Sequence, residues 1–223
     1  MSTTDWQAKA TMCELLALSL RYPDEQLAEI VASGEWLDAA REVAGACGCT
    51  LSGDFGTEPL ATCLDGAVAP DADVLMHALR AEATHLFVGA PDPAVWPFEG
   101  VWRAEDDGVQ AYLFVNPHSL EVEHFCKACG LGHPEGTKDP LDHIAAELEL
   151  LQYLAALEAG IVVPAEDGVA EVDVPGGSPA AAYAQFMDEH FMVWAPRFAE
   201  KLCAEARLPF YRAVGQLLAA FLA

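Results

Sequence analysis

Apolar residues three and four positions apart recur along almost the whole chain, interrupted at intervals by glycine or proline. That period belongs to helices with one face turned inward, and it leaves little room for a sheet. Thr4-Asp5-Trp6-Gln7 has the form of a capping box, and Trp6, Ala10, Cys13, Ala17 and Leu20 follow on one face until Tyr22-Pro23 ends the run. Shorter runs predict helices through Leu27, Ile30 and Val31 before Gly34, through Trp36, Ala40, Val43 and Cys47 before Gly48, and from Pro59 through Leu60, Cys63 and Leu64. Val74, Leu75, Ala78, Leu79 and Leu86 share a face between Asp73 and Phe87, with Gly89 as the stop. Asn116-Pro117 reads as an N-cap with proline at the first helical position, leading through Val122, Phe125, Cys126 and Cys129 to Gly130. Pro140 opens a long helix with Leu141, Ile144, Leu148, Leu151 and Ala155 on one side, closing at Gly160, and further helices start at Ser178-Pro179, Ala195-Pro196 and Pro209. The expectation is an all-α fold, a compact single-domain bundle of about nine or ten helices over residues 1–223.

Two stretches break the pattern. Residues 90–108 hold three prolines and two tryptophans without a helical period, too apolar for a solvated linker. Residues 161–178 are acidic and rich in small residues, and read as a mobile loop that has room for a brief strand at Val169–Val174.

Charge narrows the function classes. The chain carries 35 acidic and 11 basic side chains, a formal net charge of −24, so nonspecific binding to nucleic acid or anionic lipid is disfavoured and basic partners are favoured. No apolar run reaches the roughly 18 to 20 residues that span a bilayer. The first residues lack the basic and apolar regions of a secretory signal, and the seven cysteines are an odd number in helix-like sequence, which together predict a cytoplasmic protein with reduced thiols. Neither a Gly-rich phosphate loop nor a G-x-S-x-G elbow is present, so the sequence advertises no catalysis and calls for no cofactor.

Metal binding is the competing class. His124, Cys126, Cys129 and His133 lie within ten residues, but at about 100° per residue Cys126 and Cys129 project with Val122 and Phe125 while His124 points nearly the opposite way. Glu82/His85 and Glu121/His124 have the Glu-x-x-His spacing of di-iron bundles. Only the first pair falls on an apolar face, where paired core polar residues are the simpler expectation. Buried thiols, a surface histidine and no bound metal are therefore expected.

The segment Asp139-Pro140-Leu141-Asp142-His143-Ile144 with Glu147-Leu148-Glu149 differs in kind. It is expected to place Asp142 and His143 in the first turn of a proline-initiated helix, where free N–H groups favour negative charge, with Glu147 one turn beyond His143. This motif resembles that of the TorD/DmsD family of redox-enzyme maturation chaperones, related to the NarJ group. Leu86-Phe87-Val88-Gly89 followed by Trp96-Pro97-Phe98-Glu99-Gly100-Val101-Trp102 resembles a second family block, with Gly100 where serine is usual. Glu189-His190-Phe191-Met192-Val193-Trp194-Ala195-Pro196 and Pro209-Phe210-Tyr211 resemble the family's C-terminal helices.

The resemblance implies a cytoplasmic chaperone, not an enzyme. Its partner would be the twin-arginine leader and body of a molybdopterin oxidoreductase of the DMSO/TMAO reductase type, held until its cofactor is inserted. A NarJ-like role toward a nitrate reductase is the nearest alternative, and both a monomer and a helix-swapped dimer stay open. A leader offers two guanidinium groups and an apolar run, so a receptor needs carboxylates and an aromatic-lined groove. Glu99, Asp142 and Glu147 are the expected carboxylates, and Leu86, Phe87, Trp96, Pro97, Phe98 and Trp102 the expected apolar wall, with Pro140 and His143 shaping the helix start.

Overall fold

Asp24 and Asp71 begin two helices in the same way, each accepting a hydrogen bond from the backbone N–H three residues on, at Leu27 and Val74, both at 2.9 Å. Gly34 ends the helix that Asp24 begins, and Gly48 ends the next, each in the left-handed conformation that a residue without Cβ adopts freely, at φ 88° and 73°. In the computed structural model, which describes residues 2–109, 116–132, 140–162 and 174–223, such punctuation yields an all-α fold. Among the described residues the helices are α1 (Thr3–Leu20), α2 (Glu25–Ser33), α3 (Glu35–Cys47), α4 (Ala72–Ala83), α5 (Glu99–Asp106), α6 (Pro117–Ala128), α7 (Ile144–Glu158), α8 (Pro179–Phe186), α9 (Met192–Glu205) and α10 (Pro209–Leu222). Two π turns, Thr84–Val88 and Met187–Phe191, follow α4 and α8 directly. The only β pairing among these residues is two isolated bridges, Thr62 with Val68 and Phe98 with His143.

Several local expectations are corrected. The cap of α1 is not Thr4 with Gln7 but Ser2 with Asp5: the Asp5 N–H donates to Ser2 Oγ at 3.3 Å and the Ser2 N–H donates to Asp5 Oδ2 at 2.8 Å. The stretch after Pro59 is not helical. Thr62 Oγ1 donates to the Pro59 carbonyl at 2.6 Å, and Cys63 and Ala69 donate back to Ala67 and Ala61 across a turn at Gly66, so local bonds outcompete a helix with too few apolar positions. Val74 is exposed, because the inward face of α4 is carried by Leu75, Leu79, Glu82 and Ala83. No new helix starts at Pro196. α9 begins at Met192 and runs through that proline, where a looser hydrogen-bond ladder meets a residue with no donor to give. The long helix begins at Ile144, not Pro140. The expected loop at 161–178 and strand at Val169–Val174 lie largely outside the described residues, as do His133 and Asp139.

The described residues form two compact units, each assembled from two stretches of chain. The first takes Met1–Ala17 and Pro97–Ala195. There α5 packs on α6 and α7 on α8, and the Trp6 ring meets Tyr183 edge-on at 5.2 Å. Phe125, Phe186 and His190 make a second ring cluster, with Phe186 at 5.0 Å from Phe125 and 4.9 Å from His190. The second unit takes Leu18–Trp96 and Pro196–Ala223, with α2 against α3 and α4, and α3 against α10. Trp36, 1% exposed, meets Phe210 edge-on at 5.2 Å and donates from its indole N–H to Ser19 Oγ at 2.8 Å. Burying a side chain of that size contributes on the order of 2–3 kcal/mol, provided its polar atom finds a partner as it does here.

Candidate functional site

The site is built where two loops of the first unit are stitched together by backbone. Phe98 and His143 pair as an antiparallel bridge, the Glu99 N–H donates to the Asp142 carbonyl at 2.9 Å, and the Ile144 N–H donates to the Pro97 carbonyl at 2.8 Å. This bridge sets α5 and α7 starting side by side. The residue before each helix then matters, because the first backbone N–H groups of a helix lack partners inside it.

Phe98, the N-cap of α5, has no side chain able to cap. Asp142 does it from the other loop: Oδ2 accepts from the Gly100 N–H at 3.0 Å and from Ser119 Oγ at 2.6 Å. His143 is the N-cap of α7, its Nδ1 accepting from the Ala145 N–H at 3.1 Å, and its ring meets Phe98 edge-on at 5.3 Å. The expectation that Asp142 and His143 occupy the first turn of their own helix is thus corrected. Both precede it, and Pro140 lies before them, half-buried.

Glu99, Asp142 and Glu147 are enclosed, at 0%, 1% and 0% exposure. Arg103, one turn along α5, donates from Nη1 to Glu99 Oε1 at 2.8 Å, and His190 Nδ1 lies 3.1 and 3.2 Å from the two Glu99 oxygens. Trp194 donates from its indole N–H to Glu147 Oε2 at 3.1 Å and stands 6.4 Å from the Trp102 ring. No donor reaches Oδ1 of Asp142 or Oε1 of Glu147. Burial, reinforced by the facing Glu99 and Asp142 carboxylates, pushes the Glu147 carboxyl well above the ordinary carboxylate range, and burial raises Asp142 against the hydrogen bonds from Ser119 and Gly100.

The structure therefore brings together Pro97, Phe98, Glu99, Trp102, Asp142, His143 and Glu147, all within the first unit. Leu86, Phe87 and Trp96 belong to the second. There Leu86 is buried, its carbonyl accepting from the Val95 N–H at 2.8 Å, and Trp96 is half-buried. Phe87 stacks on Phe198 at 6.2 Å and meets Tyr211 edge-on at 5.8 Å.

Reasoning from sequence missed Arg103, Asn116, Ser119, His190 and Trp194. The four-residue spacings Glu99/Arg103 and His190/Trp194 were the available signals. Asn116 caps α6 through Oδ1, which accepts from the His118 N–H, and donates from Nδ2 to the Gly100 carbonyl at 2.6 Å.

The groups weighed for metal are placed as follows. His124 is exposed, whereas Cys126 and Cys129 face the core, their thiols pushed up by burial to about 12 and about 11. Glu82 is fully buried and committed to Arg207, whose backbone N–H and Nε donate to its two oxygens at 2.6 and 2.8 Å. Among the described residues no three His, Cys, Asp or Glu side chains converge as a metal site. No described helix is long and apolar enough to cross a membrane.

A family profile described as "Nitrate reductase delta subunit" matches residues 54–200. Two curated proteins named "Chaperone protein TorD", from two strains of Vibrio cholerae serotype O1, are each 24% identical over 144 residues, covering 65% of this chain and 59% of theirs. The match thus spans less than two thirds of those relatives.

Proposed function

The chain belongs to the nitrate reductase delta subunit family, the NarJ/TorD group, and from that premise we propose that it is a cytoplasmic maturation chaperone, a binding protein without turnover. Its client is a molybdopterin-dependent oxidoreductase, and the element it recognises is the client's twin-arginine leader. The observation that carries the reading is the carboxylate cluster Glu99, Asp142 and Glu147, which a backbone bridge holds at the start of two helices in a chain of charge −24. A protein that only needed to be stable gains little from three enclosed carboxyls, since apolar residues of similar volume do as well or better.

Two client types follow from this reading: a DMSO/TMAO-type reductase, as the resemblance to the TorD/DmsD family implies, and as the alternative a nitrate reductase in a NarJ-like role. Leader peptides of each type, titrated against the protein at several salt concentrations, discriminate them. A peptide with Ser/Thr-Arg-Arg and an apolar run is expected to bind at micromolar Kd or tighter, more weakly as salt rises, and more weakly still to Asp142→Asn. That substitution keeps an acceptor for Gly100 and Ser119 while removing the charge. Equal binding of twin-lysine and twin-arginine peptides, or none of either, would sink the reading.

A further inference from the structure

An open hollow of about 630 Å³ lies in the first unit, lined among others by Arg103, Glu121, Phe125, Gln185, Glu189 and His190. That size is ordinary for a ligand pocket. Its wall includes Arg103 and His190, the two side chains that hold Glu99, so the hollow and the enclosed carboxylate cluster share a partition of two residues. On the cluster side lie two carboxyl oxygens without a donor, Asp142 Oδ1 and Glu147 Oε1. Glu121 pairs with His118 Nδ1 at 3.2 Å and Glu189 accepts from Gln185 Nε2 at 3.0 Å, each on an exposed side chain that a stronger donor can recruit.

The charges favour a cation. Glu99, Asp142, Glu121 and Glu189 stand against one guanidinium, that of Arg103. The metal alternative is poor, because both Glu99 oxygens already face N–H donors and no three ligands converge among the described residues. A planar guanidinium matches a carboxylate fork and stacks on a ring such as Phe125, which an ammonium does less well. Arg103 itself shows such a group on Glu99. Its side chain is 21% exposed, and its Nη1 is shared between Glu99 and the Glu189 carbonyl, at 2.8 and 3.2 Å.

We infer that the hollow receives an arginine side chain of the bound peptide, and that Arg103 is an internal placeholder whose position on Glu99 the incoming guanidinium takes over. The inference rests on the leader-binding reading above and gives it an entry point: enclosed carboxylates become reachable by exchange of one guanidinium for another.

The test titrates a labelled twin-arginine peptide and its twin-lysine counterpart against the full chain, Arg103→Gln and the rim variant Glu121→Gln/Glu189→Gln. Removing the placeholder is expected to tighten twin-arginine binding about tenfold and leave twin-lysine binding unchanged, while the rim variant weakens twin-arginine binding at least threefold. Arg103→Gln binding no more tightly than the wild type, with an unchanged melting temperature, overturns the inference. If Arg103→Gln does not fold, the rim variant decides: its two exposed positions leave the fold intact, and undiminished binding overturns the inference equally. In either case the function stands so long as the wild type still prefers twin arginine. A wild type that binds neither peptide overturns the function as well.

Discussion

Near pH 5 Glu147→Gln should leave the protein almost as stable as the wild type, whereas Glu147→Ala should not. Glutamine keeps a carbonyl to accept from the Trp194 indole and, like the carboxyl whose proton burial retains, carries no charge beside Glu99 and Asp142. The expected difference is within about 1 kcal/mol. Alanine removes the Glu147 acceptor of the Trp194 N–H, at about 1–3 kcal/mol, and one buried methylene at about 0.8 kcal/mol, for a loss of about 2–4 kcal/mol.

The pH dependence separates the two further. A carboxyl raised on folding binds a proton in the native state that the unfolded chain releases, so its contribution is fully present below the ordinary value near 4.5 and is lost as pH rises through the native value. In that window one such group lowers the unfolding free energy by at most about 1.4 kcal/mol per pH unit. Glutamine has no proton to lose, so the variant's curve is flatter. Urea unfolding followed by tryptophan fluorescence between pH 5 and 8.5 measures both quantities. Equal losses for Glu147→Gln and Glu147→Ala near pH 5, or parallel pH curves for Glu147→Gln and wild type, would refute the raised carboxyl at Glu147.

Gly100→Ser restores the serine usual in the family, yet here its Cβ would collide with Ser119 Oγ and sit 3.0 Å from Asn116 Cγ and Asp142 Oδ2. The single substitution should cost about 2 kcal/mol and Ser119→Ala should recover part of it, a coupling that a double-mutant cycle reads directly. Arg207→Ala leaves Glu82 buried with only the backbone N–H of residue 207, and should lower the unfolding free energy by about 2–3 kcal/mol in denaturant titration. At pH 8 the thiolate fraction is roughly 10⁻⁴ at Cys126 and roughly 10⁻³ at Cys129, so both should resist iodoacetamide until the protein unfolds. Labelling as fast as at the half-buried Cys47 and Cys49 would contradict that.

The fold class was legible because periodicity and caps are local. Leu27, Val31, Trp36, Val122 and Phe125 all face inward where their spacing put them, and Asn116 caps the helix it was expected to cap. The failures at the site have one physical cause, competition from partners distant in sequence. Asp142 reads as part of the helix it precedes, but its carboxylate is spent on Gly100, 42 residues earlier. The motif Pro140-Leu141-Asp142-His143 therefore encodes two caps for two helices, which no window along the chain displays. His190 and Arg103 went unassigned for the same reason: their common partner Glu99 lies 91 residues from the first. The departure at Gly100 likewise reads as a loss until Ser119 is seen supplying a hydroxyl to the same carboxylate.

The way the two units divide the chain bears on its synthesis. Each unit draws on an early and a later stretch, the first needing residues up to Ala195 and the second residues up to Ala223. At roughly 5–20 residues per second on a ribosome, α2, α3 and α4 wait many seconds before α10 arrives to cover α3. Until then the Trp36 ring lacks its Phe210 neighbour, and Glu82 lacks Arg207. Neither unit can be excised as one contiguous fragment. Attempts to map binding to one half by truncation will expose core instead, so point substitutions are the instrument that suits this architecture.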